Sequence, residues 1–306
     1  MITLELEDIQ SRFRADDVLA RLKAGFVAYS SGRVQLPPAQ HFAFAQAGGD
    51  CCIKSAWVEG EDSFCVKISS GFYNNAKAGL PSNDGLNMVF SALTGQPLAL
   101  LNDHGWLTAM RTAIAGRIAS EALLPATINR IAIFGTGLQA ELQLRQHLDI
   151  TPCRDVVIWG RNSASLAGIC ERLADVAVNI ECTTDAEYAA RGASLIITAT
   201  PSAVPLIQTD WIMPGTHITA VGADAPGKQE LDAGILAKAN CVVADSVIQC
   251  RTYGELSYFP EHGNVVELGQ LIADRSLYSR GKNDITVADL TGLGVQDAQI
   301  SASILS

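Results

Sequence analysis

Three groups of residues in this 306-residue chain have the types and spacing to do chemistry. The first is Gly135-Thr136-Gly137-Leu138-Gln139-Ala140, a Gly-x-Gly-x-x-Ala run that directly follows the apolar stretch Ile131–Phe134 and opens a helical pattern. Gly135 permits a tight turn, Gly137 lets the backbone approach a pyrophosphate, and Ala140 keeps helix and strand close, so a phosphate sits at the helix N-terminus. A plain strand-to-helix turn would fit this run taken alone. The strand–helix units that follow it favour a dinucleotide site that includes Gly135, Gly137, Leu138, Gln139 and Ala140. The next strand ends Trp159-Gly160-Arg161-Asn162. An acid there would hold ribose hydroxyls, whereas a guanidinium pairs with a 2′-phosphate. Trp159, Arg161 and Asn162 therefore point to NADPH as the preferred cofactor, with NADH as the alternative.

The second group is a pair of cations in apolar surroundings. Lys67 stands in Phe64-Cys65-Val66-Lys67-Ile68, a strand pattern in which a lysine is either solvent-directed or a buried cation that needs an anion. Arg111 lies in Leu107-Thr108-Ala109-Met110-Arg111-Thr112-Ala113, a helix otherwise made of small and apolar residues. The third is Asp224, in the loop Val221–Lys228 that follows a strand. It reads either as a turn-capping aspartate or as an acid at the carboxyl end of a parallel strand, where open α/β sheets place ligands.

The elements that must position these groups change character along the chain. Residues 5–31 have the apolar spacing of one helix, through Ile9, Phe13, Leu19, Leu22, Phe26 and Val27, ended by Gly32. Residues 50–72 hold short strand-like runs, and Met88–Leu93 with Pro97–Leu101 reads as a hairpin around Thr94-Gly95-Gln96. Residues 106–124 are helical again and stop at Pro125. From Arg130 short apolar strands alternate with helices, which implies a parallel sheet covered on both faces. The expected fold class is α/β: a Rossmann dinucleotide-binding domain that begins near residue 126, preceded by an α+β domain.

Composition excludes several functions. Hydrophobic residues are 48% and charged residues 18%, a globular balance. With 22 Lys plus Arg against 32 Asp plus Glu, the net charge is −10. No basic cluster offers a surface for nucleic acid or an anionic membrane. The longest apolar stretches, such as Ala193–Ala199, fall far short of the roughly 20 residues that span a bilayer. Met1–Asp8 has neither the basic nor the apolar part of a secretory signal, so a cytoplasmic location is expected. The eight cysteines contain no Cys-x-x-Cys pair and read as reduced, buried thiols. The histidines lack metal spacing, and no metal is expected.

The chain resembles the ornithine cyclodeaminase/mu-crystallin family. The matching pieces are Val66-Lys67-Ile68, Gly79-Leu80-Pro81, Leu107–Ala113, the glycine motif at 135–140, Val221–Leu231 and Ile285–Gly292. They lie in order over nearly the whole sequence. The resemblance implies a discontinuous substrate-binding and dimerisation domain, residues 1–125 plus 285–306, around a Rossmann domain at 126–284, and a homodimer. It implies that Lys67 holds the substrate carboxylate and donates a proton, that Arg111 binds carboxylate or cofactor phosphate, and that Asp224 is the acid or base at the substrate nitrogen. Ser82, Arg111, Thr112, Gln139, Thr200, Val221, Lys228 and Thr291 fall on positions similar to cofactor contacts. Where the family often carries Pro-x-Arg, this chain has Pro38-Ala39-Gln40 followed by His41, leaving Gln40 and His41 as candidate substrate contacts.

Members of the family reduce cyclic ketimines, cyclise ornithine with loss of ammonia, oxidise alanine, or bind ligand as crystallins. An arginine after the second strand, the end at Ser306 and the segment Ile285–Asp297 favour the ketimine reductases. The expected reaction is NAD(P)H-dependent reduction of Δ1-pyrroline-2-carboxylate to L-proline and of Δ1-piperideine-2-carboxylate to L-pipecolate. Ornithine cyclodeaminase, alanine or related amino-acid dehydrogenase and a non-enzymatic binding protein are the alternatives.

Overall fold

The computed structural model describes residues 1–72 and 74–306. The chain divides into two compact units, Met1–Arg111 with Leu293–Ser306, and Thr112–Gly292.

The first unit is a sheet with helices on it. Its strands are β1 (Ile2–Glu5), β2 (Val34–Gln35), β3 (Gln40–Phe44), β4 (Gly49–Val58), β5 (Ser63–Phe72), β6 (Asn83–Ser91) and β7 (Pro97–Asn102). They lie in the order β1-β7-β6-β5-β4-β2, with β3 also paired to β4. All pairs are antiparallel except β1 with β7. The helix expected over 5–31 is two helices, α1 (Leu6–Arg12) and α2 (Ala15–Ser30). Phe13, at φ −63 and ψ 127, is extended and breaks the run. The C-terminal helix, Gly294–Leu305, packs on β4, β5 and β6 and on α2. Enclosed on both sides, it is buried from Gly294 through Ser301. Gly294 allows this approach, since a Cβ there would stand 2.8 Å from the Ser55 carbonyl oxygen.

Helix α3 (Trp106–Leu123) begins in the first unit and continues into the second. The Asp103 carboxylate accepts the Leu107 N–H at 2.8 Å and closes its first turn. The division at Arg111 falls inside this helix, whereas the sequence suggested a boundary at its end.

The second unit is an eight-stranded parallel sheet. Its strands are β8 (Ile131–Phe134), β9 (Asp155–Trp159), β10 (Asn179–Thr183), β11 (Leu195–Thr198), β13 (His217–Ala220), β15 (Cys241–Ala244), β16 (Val265–Glu267) and β17 (Thr286–Asp289), while β12 (Ala203–Ile207) and β14 (Gln229–Leu231) pair separately. The order is β10-β9-β8-β11-β13-β17-β15-β16. Alternate residues serve opposite faces: Ile131, Ile133, Leu195 and Ile197 fill one core, and Ala132, Phe134, Ile196 and Ile218 the other. Helices α4 (Leu138–Leu148), α5 (Ser163–Arg172), α6 (Ala186–Ala190), α7 (Ala233–Lys238), α8 (Val247–Tyr253) and α9 (Leu268–Ala273) accompany the strands. The sequence reading assigned residue 285 onward to the first domain. In the structure β17 lies between β13 and β15, and the return to the first unit starts at Leu293. Cys170 on α5 and Cys182 on β10 are paired as a disulfide, a correction to the expectation of free thiols throughout. The βα repeat carries the end of α5 back over β10, a proximity that spacing in sequence does not reveal. Among the described residues no helix is long and apolar enough to cross a membrane.

Candidate active site

In the first unit the sheet and helices gather a buried charge cluster. Lys67 and Cys65 share the face of β5 that the C-terminal helix covers, and each is 2% exposed. From that helix Asp297 meets two cations. Lys67 Nζ is 3.1 Å from Oδ1 and 3.0 Å from Oδ2, the first contact having hydrogen-bond geometry. Arg111 Nε donates to Oδ1 at 3.1 Å, and its Nη1 donates to Gln296 Oε1 at 2.6 Å. Burial pushes the Lys67 ammonium down to about 8, although Asp297 opposes the shift. Burial also acts to raise the Asp297 carboxyl, but the charges of Lys67 and Arg111 outweigh it and leave its pKa below the usual range. Asp297 is thus an anion held between two cations. Sequence reasoning assigned Lys67 and Arg111 but gave Asp297 and Gln296 no role; Asp297 as the one charged residue in the segment Gly294–Leu305 was the available signal.

The register settles which faces the early candidates occupy. On β3, Gln40 stands opposite Ile53 and His41 opposite Cys52. Ile53 pairs with Ile68, while Cys52 lies two residues from Lys54, which pairs with Lys67. His41 therefore shares the face of Lys67, and Gln40 belongs to the opposite face. Both are exposed. Ser82, half-buried in the same unit, accepts the Phe72 N–H on its carbonyl at 2.7 Å.

In the second unit a cleft of about 210 Å³ opens at the glycine turn, lined by Gly135, Thr136, Gly137, Trp159, Gly160, Arg161, Ala199, Thr200, Pro201, Ser202 and Leu206. Gly135 adopts φ 131, and a Cβ there would stand 2.7 Å from the Ala199 carbonyl oxygen. At Gly137 a Cβ would meet nothing within 4 Å, so the backbone faces open space at the start of α4. Leu138, Gln139 and buried Ala140 form the first turn of that helix. Exposed Arg161 lies on the cleft wall beside Trp159, whose indole N–H donates to the Thr184 carbonyl at 3.1 Å. Asn162 caps α5 by accepting the Ser165 N–H at 2.9 Å. Backbone N–H groups at a helix start, the Thr136 hydroxyl and a guanidinium form a donor set suited to the phosphates and ribose of a dinucleotide.

The loops at the carboxyl end of this sheet are tied by Glu230, which is fully buried. Its carboxylate accepts from Thr198 Oγ1 (2.6 Å), Thr200 N and Oγ1 (both 2.7 Å) and Gly222 N (2.9 Å). Burial pushes its pKa up to about 7 against these donors, which pull it down. Thr200 on the cleft and Gly222 at the start of the Asp224 loop are thereby fixed to one side chain, a link that sequence reasoning missed. Buried Val221 donates its N–H to the Thr198 carbonyl at 3.0 Å. Asp224 is half-exposed and pairs with Lys228 Nζ at 2.6 Å. Thr291 is enclosed, its hydroxyl donating to Asp245 at 2.9 Å and accepting from Gln249 Nε2 at 2.8 Å. The Thr112 carbonyl accepts from Gln143 Nε2 at 3.1 Å.

The sequence profile of the ornithine cyclodeaminase/mu-crystallin family matches residues 1–305. The chain belongs to this family. It is 38% identical over 275 residues to an uncharacterized cyclodeaminase of Sinorhizobium fredii, covering 88% of this chain and 83% of that one. An archaeal alanine dehydrogenase, solved as a dimer with bound NAD, superposes with a TM-score of 0.89 at 29% identity over 99% of this chain and 94% of its own. The Δ1-pyrroline-2-carboxylate reductase of Thermococcus litoralis, solved with NADH and L-proline, superposes with a TM-score of 0.91 at 24% identity over 99% and 96%. The α/β fold with a Rossmann-type nucleotide domain and a nicotinamide cofactor is common to this group.

Proposed function

We propose that this protein is a cytoplasmic, homodimeric ketimine reductase that prefers NADPH and reduces Δ1-pyrroline-2-carboxylate to L-proline, and the six-membered Δ1-piperideine-2-carboxylate to L-pipecolate. The observation that carries the reading is a dinucleotide cleft with Arg161 on its wall, in a chain that also buries Lys67 and Arg111 as paired cations. An anionic α-imino acid needs cations for its carboxylate and a proton source for its nitrogen. A nicotinamide dinucleotide bound at Gly135–Ala140 supplies the hydride. Lys67 and Arg111 orient the carboxylate, with Lys67 as a secondary proton donor. Asp224, in the loop after β13 and paired with the Lys228 ammonium, is the acid or base at the substrate nitrogen. Arg161 favours a 2′-phosphate because no carboxylate stands at that position to repel it. Exposed Phe42, Phe44 and Ile68, on the sheet face opposite Lys67, support a dimer through the first unit.

The test is cofactor consumption with Δ1-pyrroline-2-carboxylate, run with NADPH, with NADH, and beside L-ornithine plus NAD⁺. Fast NADPH oxidation with little signal from ornithine is expected. Ammonia and proline from ornithine, with weak imine reduction, would replace the reading by a cyclodeaminase. Asp224→Asn should keep cofactor affinity and lower turnover roughly 10²- to 10⁴-fold, the usual weight of general acid–base catalysis. Unchanged turnover would remove Asp224 from the chemistry.

A further inference from the structure

One buried carboxylate at the carboxyl end of the parallel sheet has no task in the chemistry above. Glu230 on β14 is 0% exposed. Strands β11 and β13 are neighbours, and their last residues, Thr198 and Ala220, stand opposite each other. Thr200 and Gly222 each lie two residues beyond those ends. Glu230 reaches both. Its Oε1 accepts from the Thr200 N–H and hydroxyl, and its Oε2 from the Gly222 N–H and the Thr198 hydroxyl. Each oxygen therefore takes its backbone donor from a different loop. The two loops touch closely: a Cβ at Gly222 would stand 2.2 Å from the Thr200 carbonyl oxygen and 2.5 Å from Glu230 Oε2.

Glu230 is itself held from behind. Its N–H and that of Leu231 donate to Glu255 Oε1 and Oε2 at 2.7 and 3.2 Å. The N–H groups of Glu255 and Leu256 donate to Asp289 Oδ1 and Oδ2 at 3.1 and 2.9 Å. Asp289 ends β17, inside the sheet. Three carboxylates in series thus fix the loops to the sheet interior. Burying a carboxylate costs stability that an apolar side chain would avoid. An amide would offer one acceptor oxygen where two loops each present a backbone donor. The loops so joined are those to which chemistry is assigned: Thr200 lines the dinucleotide cleft, and Gly222 starts the run to Asp224.

We propose that Glu230 is a positioning residue for the reduction, locking the cleft loop to the Asp224 loop so that one side chain sets both cofactor and acid. The proposal rests on the imine-reductase reading and adds to it a fully buried residue that acts through Thr200 and Gly222. The test measures NADPH affinity by fluorescence titration, and kcat at saturating NADPH and Δ1-pyrroline-2-carboxylate. Both are read at pH 8, where Glu230, pushed up to about 7, is mainly ionised. Glu230→Gln should weaken NADPH binding about 10- to 100-fold, the weight of hydrogen bonds to a charged group. It should lower kcat roughly 10- to 100-fold, as small misplacements of a reacting group do. Thr200→Val should weaken NADPH less in Glu230→Gln than in the unmodified protein, because the two residues act as one unit. Gly222→Ala forces the loops apart while leaving Glu230 in place; it should reproduce both losses, and it decides the matter where Glu230→Gln does not fold. Ser120→Ala removes buried hydrogen bonds elsewhere in the same unit and should change neither quantity. Unchanged affinity and kcat in Glu230→Gln and Gly222→Ala overturn the proposal. Loss of one quantity alone overturns the lock between the loops. Losses matched by Ser120→Ala at a comparable fall in Tm, or strictly additive with Thr200→Val, overturn it in favour of a structural role. An unmodified protein that binds NADPH but leaves the imine unreduced overturns the reductase reading, and the affinity comparison then decides Glu230 by itself. An unmodified protein that binds neither NADPH nor NADH overturns the cofactor assignment of the cleft, and this proposal with it.

Discussion

Two buried polar clusters, one in each unit, are built on opposite electrostatic principles. In the second unit a chain of side chains runs along one face of the parallel sheet. His147 Nδ1 is 2.7 Å from the Gln143 carbonyl, which can only accept, so that nitrogen carries the proton. Nε2 then accepts from Ser120 Oγ at 2.7 Å, and Ser120 accepts from Thr219 Oγ1 at 2.7 Å. Thr219 accepts from His217 Nε2 at 3.0 Å, and His217 Nδ1 accepts from Thr286 Oγ1 at 2.9 Å. Arg280 donates to Thr286 and ends the run. Every group in this chain has its partner with both histidines neutral, and burial keeps them so: His147 is pushed down to about 4 and His217 well below its ordinary value. The first unit instead buries full charges, and Gln296 Nε2 and Asp103 Oδ1 are enclosed without a hydrogen-bond partner. A closed network around neutral histidines specifies structure, whereas a charged cluster with an unmatched donor at Gln296 Nε2 retains the capacity to bind an acceptor.

The largest effect should come from breaking the charged cluster. Asp297→Asn leaves Lys67 and Arg111 buried without their anion and should cost about 3–5 kcal/mol, read as a fall in the denaturant midpoint of the first unit. A loss below 1 kcal/mol would mean that water already reaches both cations. The neutral chain should respond to acid instead. The folded pKa of His147 is about 4 against an ordinary 6.5, so below pH 6.5 the unfolded chain takes up a proton that the folded one refuses. Stability contributed by His147 is complete above pH 6.5 and is lost as pH falls toward 4, by about 3 kcal/mol. His147→Gln should flatten that part of a stability–pH curve, and an unaltered curve would disprove that burial holds His147 neutral. Ser120→Ala leaves a buried His147 acceptor unmet and should cost about 1–3 kcal/mol with KM and kcat unchanged. A rise in KM would show that the neutral chain also serves the site.

The smallest effect concerns pH and binding. Lys67 titrates near 8. If its ammonium orients the substrate, kcat/KM should fall by up to about tenfold per pH unit above that value. Lys67→Met should abolish this limb along with most of the activity. A profile flat to pH 10 would show that Lys67 is not titrating in the step.

What the sequence conveyed followed the range of the interactions involved. The glycine turn, the βα alternation and the helix from Trp106 are local patterns, and each appears at nearly the expected residues. The Lys67–Asp297 pair is 230 residues apart, and Arg111–Asp297 is 186 apart. No local period reports such a meeting. Strand β17 escaped for the same reason, because its neighbours β13 and β15 are distant in sequence and its insertion between them is decided by sheet order. The break at Phe13 within an otherwise helical spacing shows the complementary failure: apolar periodicity continued through a residue whose backbone is extended. Asp224 was legible as a loop acid, but its ion pair with Lys228 emerged only from the folded loop.

The most direct measurement is turnover of Δ1-pyrroline-2-carboxylate with NADPH deuterated on both hydrogens at C4, followed by chiral separation and mass analysis of the product. Ketimine reduction predicts L-proline that carries one deuterium at its α-carbon, formed in step with NADPH consumption. Proline without deuterium, or an imine left unreduced while NADPH persists, would contradict it.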